Sequence, residues 1–303
     1  MTEKEAYPSP WFYFQGARFC SPVDPRGLEQ VESFEVRDDD VFVSAYPKSG
    51  TTWTQQIVSL VTAGSNFSEV SKIPVTNRVP WLETEDVHSG PEAPPTISLL
   101  NDSPSPRLMK THLNYSMLPK QAREGKGKIV YCARNPKDVA VSLYNMVQMN
   151  DLLPPLSWEE TVEEFLSGPP MNSWWTAIPE YWRHKDNNNL LFIKYEDMKK
   201  DLRGHVMKIA EFLGRNLTEE QIDEVTANCT FTAMKGNQAT NVSRDPVMGE
   251  KMFKRGKENG IEFVRKGKVG DWRNWFSQEQ LEKFEAFHRE KMAGTDLTFD
   301  DEE

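Results

Sequence analysis

The feature that most constrains the fold is a repeated pattern: a short β-prone run, then polar residues, then a helix-patterned segment. Three such runs occur, at Val41–Ala45, at Lys128–Ala133 and at residues 190–193. After the first run come polar residues 46–50, and beyond them apolar residues recur at helical spacing. Alternating buried strands and amphipathic helices predict an α/β fold with a mainly parallel central sheet flanked by helices. In such folds, ligands bind at the carboxyl ends of the strands.

The length of the chain fits one large domain or two. Its 303 residues can bury a sizeable core, and no internal repeat or linker-like stretch divides them, so we predict a single domain over residues 1–303. Residues 1–30 are rich in proline and aromatics, which indicates an irregular N-terminal arm packed on the body. Residues 235–265 mix glycine with charge and lack periodicity, which indicates a mobile loop over the binding edge.

Composition narrows the partners and the compartment. The formal charge of −10 argues against a general nucleic-acid binder or a protein that binds anionic membranes. No apolar signal core or bilayer-length run is present, and the three cysteines lack metal or redox spacing. We therefore expect a cytoplasmic protein with no nucleic-acid or membrane partner. Any anion site must be a local cluster of Lys and Arg.

The turn after the first run has the elements of an anion site. The first N–H groups of a helix lack intrahelical partners, and the helix dipole places partial positive charge there. Lys48 adds a full charge, and Ser49, Thr51 and Thr52 add hydroxyl donors. The order differs from the common nucleotide loop, because Lys48 precedes Gly50 and no first glycine is present. A plain turn with a surface lysine is the alternative, but the strand and helix on either side favour a phosphate site.

Two further basic clusters follow in the chain, Arg134 with Lys137 and the pair Arg265-Lys266. Arg134 comes directly after a strand, as the Lys48 turn does, so both should lie at one sheet edge. Two such groups suit a ligand with two separated phosphates. A surface ion pair with Asp138 is the less favoured interpretation of Arg134. For Arg265-Lys266 taken alone, a solvated charge run is the better interpretation.

Three motifs carry a family resemblance: Tyr46-Pro47-Lys48-Ser49-Gly50-Thr51-Thr52-Trp53, Arg134-Asn135-Pro136-Lys137-Asp138 to Ser142, and Arg265-Lys266-Gly267 with Gly270-Asp271-Trp272. They are similar to the three signatures of the cytosolic sulfotransferases, and the similarity covers nearly the whole chain. The resemblance implies a P-loop-like sulfotransferase fold. It also implies transfer of the sulfuryl group of 3′-phosphoadenosine 5′-phosphosulfate to a hydroxyl, or an amine, of a small lipophilic acceptor.

The resemblance assigns donor-binding roles to specific residues. Those implied for the 5′-phosphosulfate are Lys48, Ser49, Gly50, Thr51 and Thr52; those implied for the 3′-phosphate are Arg134, Ser142, Arg265, Lys266 and Gly267; those implied for adenine are Trp53, Tyr195 and Phe231. The resemblance also implies Cys229 as a donor-binding residue near the adenine, at a position where the family usually has a threonine, so a hydroxyl is lost there. No metal is implied, because lysines supply the positive charge.

The resemblance also implies the catalytic group. His112, at the end of a short strand-like run, corresponds to the general base, and a pKa near ~6.5 suits that role. Lys48 and Lys110 would neutralise charge growing on the transferring and leaving oxygens. Ser142 would restrain Lys48 until the acceptor binds.

The acceptor and the oligomeric state are less constrained. Candidate acceptor contacts are Phe14, Trp81, Met146 and Met149, although ordinary core packing explains them equally well. We favour a small phenol over steroid alcohols and arylamines. The family's dimer segment corresponds to Arg273, Ser277-Gln278 and Glu282, with Gln278 in place of an apolar residue, so a homodimer and a monomer both stay open.

Two other function classes remain as alternatives. A P-loop-type nucleotide-dependent phosphotransferase shares the strand, loop and helix, but this chain lacks the Gly-Lys-Ser/Thr order. A non-catalytic nucleotide-binding module would have no use for Lys110 together with His112.

Overall fold

The computed structural model describes residues 11–86, 93–168 and 172–301. A sheet of four parallel strands forms the centre, in the order β4-β3-β5-β6, and a separate antiparallel hairpin, β1-β2, precedes it. The strands are β1 Trp11–Phe14, β2 Ala17–Cys20, β3 Val41–Ala45, β4 Leu108–Thr111, β5 Lys128–Ala133 and β6 Leu190–Lys194. The prediction of a single α/β domain with a mainly parallel central sheet is confirmed.

Helices connect the strands and cover the sheet. In chain order they are α1 Pro25–Val31, α2 Thr51–Ala63, α3 Phe67–Val70, α4 Val75–Arg78, α5 Thr96–Asn101, α6 Lys120–Arg123, α7 Pro136–Met149, α8 Trp158–Ser167, α9 Trp174–Arg183, α10 Tyr195–Lys200, α11 Leu202–Phe212, α12 Glu219–Asn228, α13 Phe231–Gly236, α14 Met248–Met252, α15 Lys254–Glu258 and α16 Gln278–Lys291. Within the described ranges, no helix is long and apolar enough to cross a bilayer.

The sheet is buried on both faces, which explains why its strands are apolar runs. Successive residues of a strand point to opposite faces. Accordingly, Phe42 and Tyr131 lie in one apolar cluster with Trp174, whereas Val43 and Val130 lie in a second cluster under helix α2. The two clusters fix the position of the sheet between helical layers.

The parallel register brings the ends of the strands to one edge. Ser44 of β3 pairs with Thr111 of β4 and with Tyr131 of β5, and Cys132 pairs with Ile193 of β6. The residues that follow these strands therefore emerge side by side, as expected for a ligand-binding edge.

Several helices begin at capping boxes. Reciprocal side-chain and backbone bonds form capping boxes at Ser157, Thr218 and Ser277, which start α8, α12 and α16. A capping residue satisfies N–H groups that the helix itself cannot, so its effect is local and readable from a short motif.

Two segment predictions need correction. Residues 11–31 are not irregular: they form the hairpin and helix α1, whereas residues 1–10 of the predicted arm lie outside the described part. The hairpin closes through Gln15 and Gly16, both at positive φ (49° and 81°), as tight hairpin turns require. The segment 235–265 contains helices α14 and α15. Its mobility stays a prediction.

The start of the sheet depends on a buried ion pair. Arg107 donates to both carboxylate oxygens of Asp40, and both side chains are almost completely buried. Removing one partner leaves a buried charge uncompensated, which costs roughly 3–5 kcal/mol. We expect Asp40→Ala to lower the free energy of unfolding by about that amount, measured by urea unfolding.

The matched control is Asp223→Ala. Asp223 also pairs with an arginine, Arg203, but both side chains are exposed, so the loss should be below about 1 kcal/mol. Equal losses in the two variants would show that burial of the Asp40 pair does not matter.

Candidate active site

The turn between β3 and α2 has an unusual backbone. Gly50, the residue before the helix, has φ +107°, and a Cβ there would lie 2.9 Å from the Tyr195 ring. Glycine is therefore required at that point. Lys48 also adopts a left-handed conformation, with φ +69°, which costs a non-glycine residue roughly 1 kcal/mol. Such strain is kept where function requires it.

Two polar atoms in this turn are buried without a partner. Within the described residues, Ser49 Oγ and Thr51 Oγ1 make no hydrogen bond. A buried polar group without a partner costs about 1–3 kcal/mol, so such atoms are uncommon in a folded protein. A ligand with several acceptor oxygens, bound at the N-terminus of α2, fits these groups.

Lys48, in this turn, and Lys110, near it, both have lowered pKa values. Burial, followed by Arg134, Lys110 and Arg265, lowers the pKa of Lys48 to about 7. Burial lowers the pKa of Lys110 to about 8, although Glu83 opposes the shift. The Lys48 ammonium lies 3.9 Å from the centre of the Phe263 ring, and that of Lys110 lies 3.6 Å from Trp81. An incoming anion would favour the protonated form of both lysines.

Arg134 lies between the Lys48 turn and the third motif, which contains Arg265 and Lys266. Its guanidinium lies 4.3 Å from the Tyr195 ring centre, and it donates to the backbone carbonyls of Lys48, at 3.5 Å, and Lys268, at 3.0 Å. Nε of Arg134 is buried with no hydrogen-bond partner in the described part of the chain. The arginine is therefore positioned, but its donors are not fully used.

Two buried aspartates hold the second and third motifs together. Asp138 accepts from the Gly270 N–H at 2.9 Å and the Trp272 N–H at 3.1 Å, and it lies 3.7 Å from Arg134. Asp271 accepts from Arg265 at 2.7 Å and from Lys266 at 2.8 Å, and these cations lower its pKa to about 2 against the effect of burial. The Arg134–Asp138 pair exists, but it is buried rather than solvated. Arg265 and Lys266 are likewise not a free charge run.

His112 has a defined tautomer. Its Nδ1 lies 2.6 Å from the backbone carbonyl of Ala45, and because a carbonyl can only accept, the proton is on Nδ1. Burial, with Lys110 and Lys48 nearby, lowers the pKa of His112 to about 3, well below the value near ~6.5 expected from the sequence, so the ring is neutral at physiological pH. Nε2 then carries a lone pair able to accept a proton. The backbone N–H of His112 donates to the Glu83 carboxylate at 2.7 Å, which fixes the position of the main chain.

One cavity of about 970 Å³ brings the basic residues and the histidine together. Its lining includes Lys48, Gly50, Thr51, Thr52, Trp53, Lys110, His112, Arg134, Ser142, Tyr195, Phe231, Arg265, Lys266 and Gly267. Lys48 and Gly267, which come from opposite ends of the chain, therefore share a single space. Ser49 is fully buried behind this surface.

The predicted adenine residues divide into two groups. Trp53 and Tyr195 lie edge to face at 5.2 Å, and Phe231 packs under Gly267. Cys229 is different, because it is fully buried and does not line the cavity. Its backbone carbonyl accepts from the Trp53 indole N–H at 2.7 Å. Cys229 thus positions Trp53 through its main chain, and the expectation that its side chain contacts the donor is not supported.

The acceptor candidates are only half supported. Trp81 and Met146 line the cavity, and Trp81 lies edge to face with His112 at 5.0 Å. Phe14 and Met149 do not line it. Phe14 packs against the main core, and Met149 is buried in a cluster with Met248 and Met252, so for these two the core-packing alternative is correct.

Sequence reasoning missed Glu83 and Phe263. Glu83 is a buried acid next to His112 and Lys110, and burial raises its pKa. The only signal for Glu83 in the sequence is that this acidic residue directly follows residues 78–82, which are mainly apolar. Phe263 covers Lys48, and only its closeness to Arg265 in sequence pointed to the site.

Comparison with known proteins decides the family. A model described as "Sulfotransferase domain" matches residues 38–296. Bovine sulfotransferase 1A1 is 40% identical over 276 residues, covering 90% of both chains, and rabbit amine sulfotransferase is 39% identical over 289 residues, covering 94% of this chain and 92% of the other. The chain belongs to the sulfotransferase family. The predicted cytosolic-sulfotransferase resemblance is thereby confirmed.

A solved structure supports the same fold. Retinol dehydratase, in a complex with androsterone and inactive cofactor PAP, superposes on this sulfotransferase with a TM-score of 0.79 and 31% identity, covering 91% of this chain and 88% of the other. The chain is therefore a sulfotransferase that depends on 3′-phosphoadenosine 5′-phosphosulfate and acts on small-molecule acceptors. The phosphotransferase and the non-catalytic module are both excluded by this membership.

Gly267 offers a sharp test of the site. It has φ +62°, and a Cβ there would overlap the Phe231 ring, so Gly267→Ala must displace that ring or the backbone. We expect Gly267→Ala to weaken binding of adenosine 3′,5′-bisphosphate by more than about tenfold, measured by calorimetric titration.

Gly236→Ala is the control, because no heavy atom lies within 4 Å of the added carbon and Gly236 is not at positive φ. Equal affinities in both variants would contradict the inference that Phe231 must stay where Gly267 places it.

Proposed function

We propose that this sulfotransferase transfers the sulfuryl group of 3′-phosphoadenosine 5′-phosphosulfate to a hydroxyl, or an amine, of a small lipophilic acceptor, with His112 as general base. The observation that carries the proposal is that Lys48, Arg134, Arg265 and His112 line one cavity, and that the tautomer of His112 leaves Nε2 able to accept a proton.

The two phosphates of the donor would lie at two separate places, the Lys48 turn and the pair formed by Arg134 and Arg265. The 5′-phosphosulfate fits the Lys48 turn, where Ser49 Oγ and Thr51 Oγ1 lack partners among the described residues and the N-terminus of α2 begins. The 3′-phosphate fits Arg134 with Arg265, which pair directly with Asp138 and Asp271, respectively. Trp53 and Phe231 supply ring faces for adenine.

The chemical step balances with groups in this cavity. The acceptor O–H gives its proton to Nε2 of His112 while its oxygen forms a bond to sulfur. The bond between sulfur and the 5′-phosphate oxygen breaks in line, and adenosine 3′,5′-bisphosphate leaves. Lys48 and Lys110, once charged by the bound anion, stabilise the negative charge that grows on the leaving oxygen. No metal is required for this step.

The acceptor side of the cavity is apolar and aromatic. Around Trp81 and Met146 it is lined by Phe19, Tyr46, Leu143 and Phe165. This lining supports a flat lipophilic acceptor. We place phenols first and steroid alcohols and arylamines next; the last two classes gain support from the androsterone complex and from the amine sulfotransferase among the relatives. A cytoplasmic location and a monomer or homodimer stay predictions.

If His112 is the general base, removing its side chain should lower turnover and leave nucleotide binding nearly unchanged. His112→Ala should lower turnover by roughly 10²–10⁴-fold, the usual contribution of a general base, while the affinity for adenosine 3′,5′-bisphosphate stays within about twofold. Transfer of label from the sulfo donor to a panel of phenols, steroid alcohols and arylamines measures turnover.

His205→Ala is the matched control, because the partly exposed His205 ring bonds only to its own helix in the described contacts. Retained turnover in His112→Ala would remove His112 as the base. Wild-type protein that labels none of the three acceptor classes would overturn the acceptor proposal.

The lowered pKa of Lys48 predicts a pH dependence of donor binding. Only the ammonium form attracts a phosphate, and with a pKa of about 7 Lys48 loses its proton as pH rises through that value. Binding must therefore take up a proton, and the dissociation constant for adenosine 3′,5′-bisphosphate should rise between pH 7 and 9 by up to about tenfold per pH unit for each linked proton.

Lys48→Met should bind more weakly and show a flatter profile. Its remaining dependence should begin near pH 8, where Lys110 loses its proton. Calorimetry in buffers of different ionisation enthalpy measures the proton uptake directly. An unchanged slope in Lys48→Met would show that Lys48 is not the titrating group.

A further inference from the structure

Residues 297–301, which we call the strap, contact the second and third motifs and do not line the cavity. Leu297 is buried in the main core, and the Phe299 ring lies 5.6 Å from that of Trp174. The Trp174 indole N–H donates to the backbone carbonyl of Arg134 at 3.0 Å. The strap therefore packs on the residue that fixes the main chain of Arg134.

Asp301 ties the strap to the second motif directly. Its carboxylate accepts from the Asn135 amide at 2.8 Å and pairs with the Lys137 ammonium at 3.1 Å. Asn135 is the residue after Arg134, and its own side-chain oxygen caps helix α7 by accepting from the Lys137 N–H. Asp301 thus orients the amide that starts α7 and, with it, the exit of the chain from Arg134.

The same residue reaches the third motif. The backbone carbonyl of Asp301 accepts from the Arg273 guanidinium at 2.6 Å, and a Cβ on Gly270 would lie 2.9 Å from that oxygen. Gly270 N–H donates to Asp138, and Asp271 next to it holds Arg265. One residue therefore contacts the supports of both arginines from behind.

We propose that the strap, through Asp301, is a positioning element for the 3′-phosphate site, which holds the Arg134 and Arg265 motifs at the spacing that the 3′-phosphate needs. This inference rests on the proposed function, in which those two arginines bind that phosphate. Asp301 touches neither donor nor acceptor. Its effect reaches the ligand only through Asn135, Lys137 and Arg273.

The test compares two nucleotides that differ by one phosphate. Adenosine 3′,5′-bisphosphate uses the 3′-phosphate site, whereas adenosine 5′-monophosphate does not. In Asp301→Ala, affinity for the bisphosphate should fall roughly fivefold to tenfold, the effect of one lost charged hydrogen bond, and affinity for the monophosphate should be unchanged. The KM for the sulfo donor should rise with little change in kcat.

Two further variants separate positioning from general stability. Asp301→Asn keeps an oxygen for the Asn135 amide and loses the charge facing Lys137, so its loss of affinity should be smaller than that of Asp301→Ala. Asp296→Ala removes the same charge just before the strap, where Asp296 accepts from Trp182 at 2.6 Å, and should behave as wild type.

The outcomes distinguish this inference from the proposed function. Equal loss of affinity for both nucleotides in Asp301→Ala, or no loss for either, would overturn the strap inference while the function stands. Wild-type protein that does not prefer the bisphosphate over the monophosphate would overturn the donor placement, and the strap inference falls with it.

Discussion

The arrangement of the site follows from one interaction, the repulsion among partly buried cations at one edge of the sheet. Partial burial lowers the pKa of Lys48 and of Lys110, and Arg134 and Arg265 are close enough to lower that of Lys48 further. Neither burial nor like charge favours this arrangement in the free protein. A ligand with two anionic groups relieves both effects at once. The whole chain has a net charge of −10, so the preference for an anion is confined to this site.

Acidic residues hold the groups of the site in position. Asp138 and Asp271 hold the second and third motifs, and Glu83 holds the backbone of His112. All three acids line the same cavity, where they accept from backbone N–H groups or from the cations and so fix the positions of the positive groups. Glu83 thereby binds the end of β4, and Asp138 connects the start of α7 with the third motif, although these segments are far apart in sequence.

Sequence captured what is local. The strands, the capping boxes at Ser157, Thr218 and Ser277, and the Lys48 turn are each decided by neighbours within a few residues. The sequence did not predict contacts between residues that are distant along the chain. The burial of Met149 depends on Met248 and Met252, and the contact of Phe263 with Lys48 joins residues from opposite halves of the chain. Periodicity carries no information about such pairings, and the burial of the Cys229 side chain in the second apolar cluster likewise depends on residues far away in sequence.

The bond between the Trp53 indole and the carbonyl at position 229 has a consequence for how this site varies. Because the main chain makes the bond, the orientation of the indole does not depend on whether the side chain at 229 is a thiol or a hydroxyl. Volume limits what fits there, since the position is fully buried in the second apolar cluster. A different small residue at this point would therefore leave the same indole face lining the cavity.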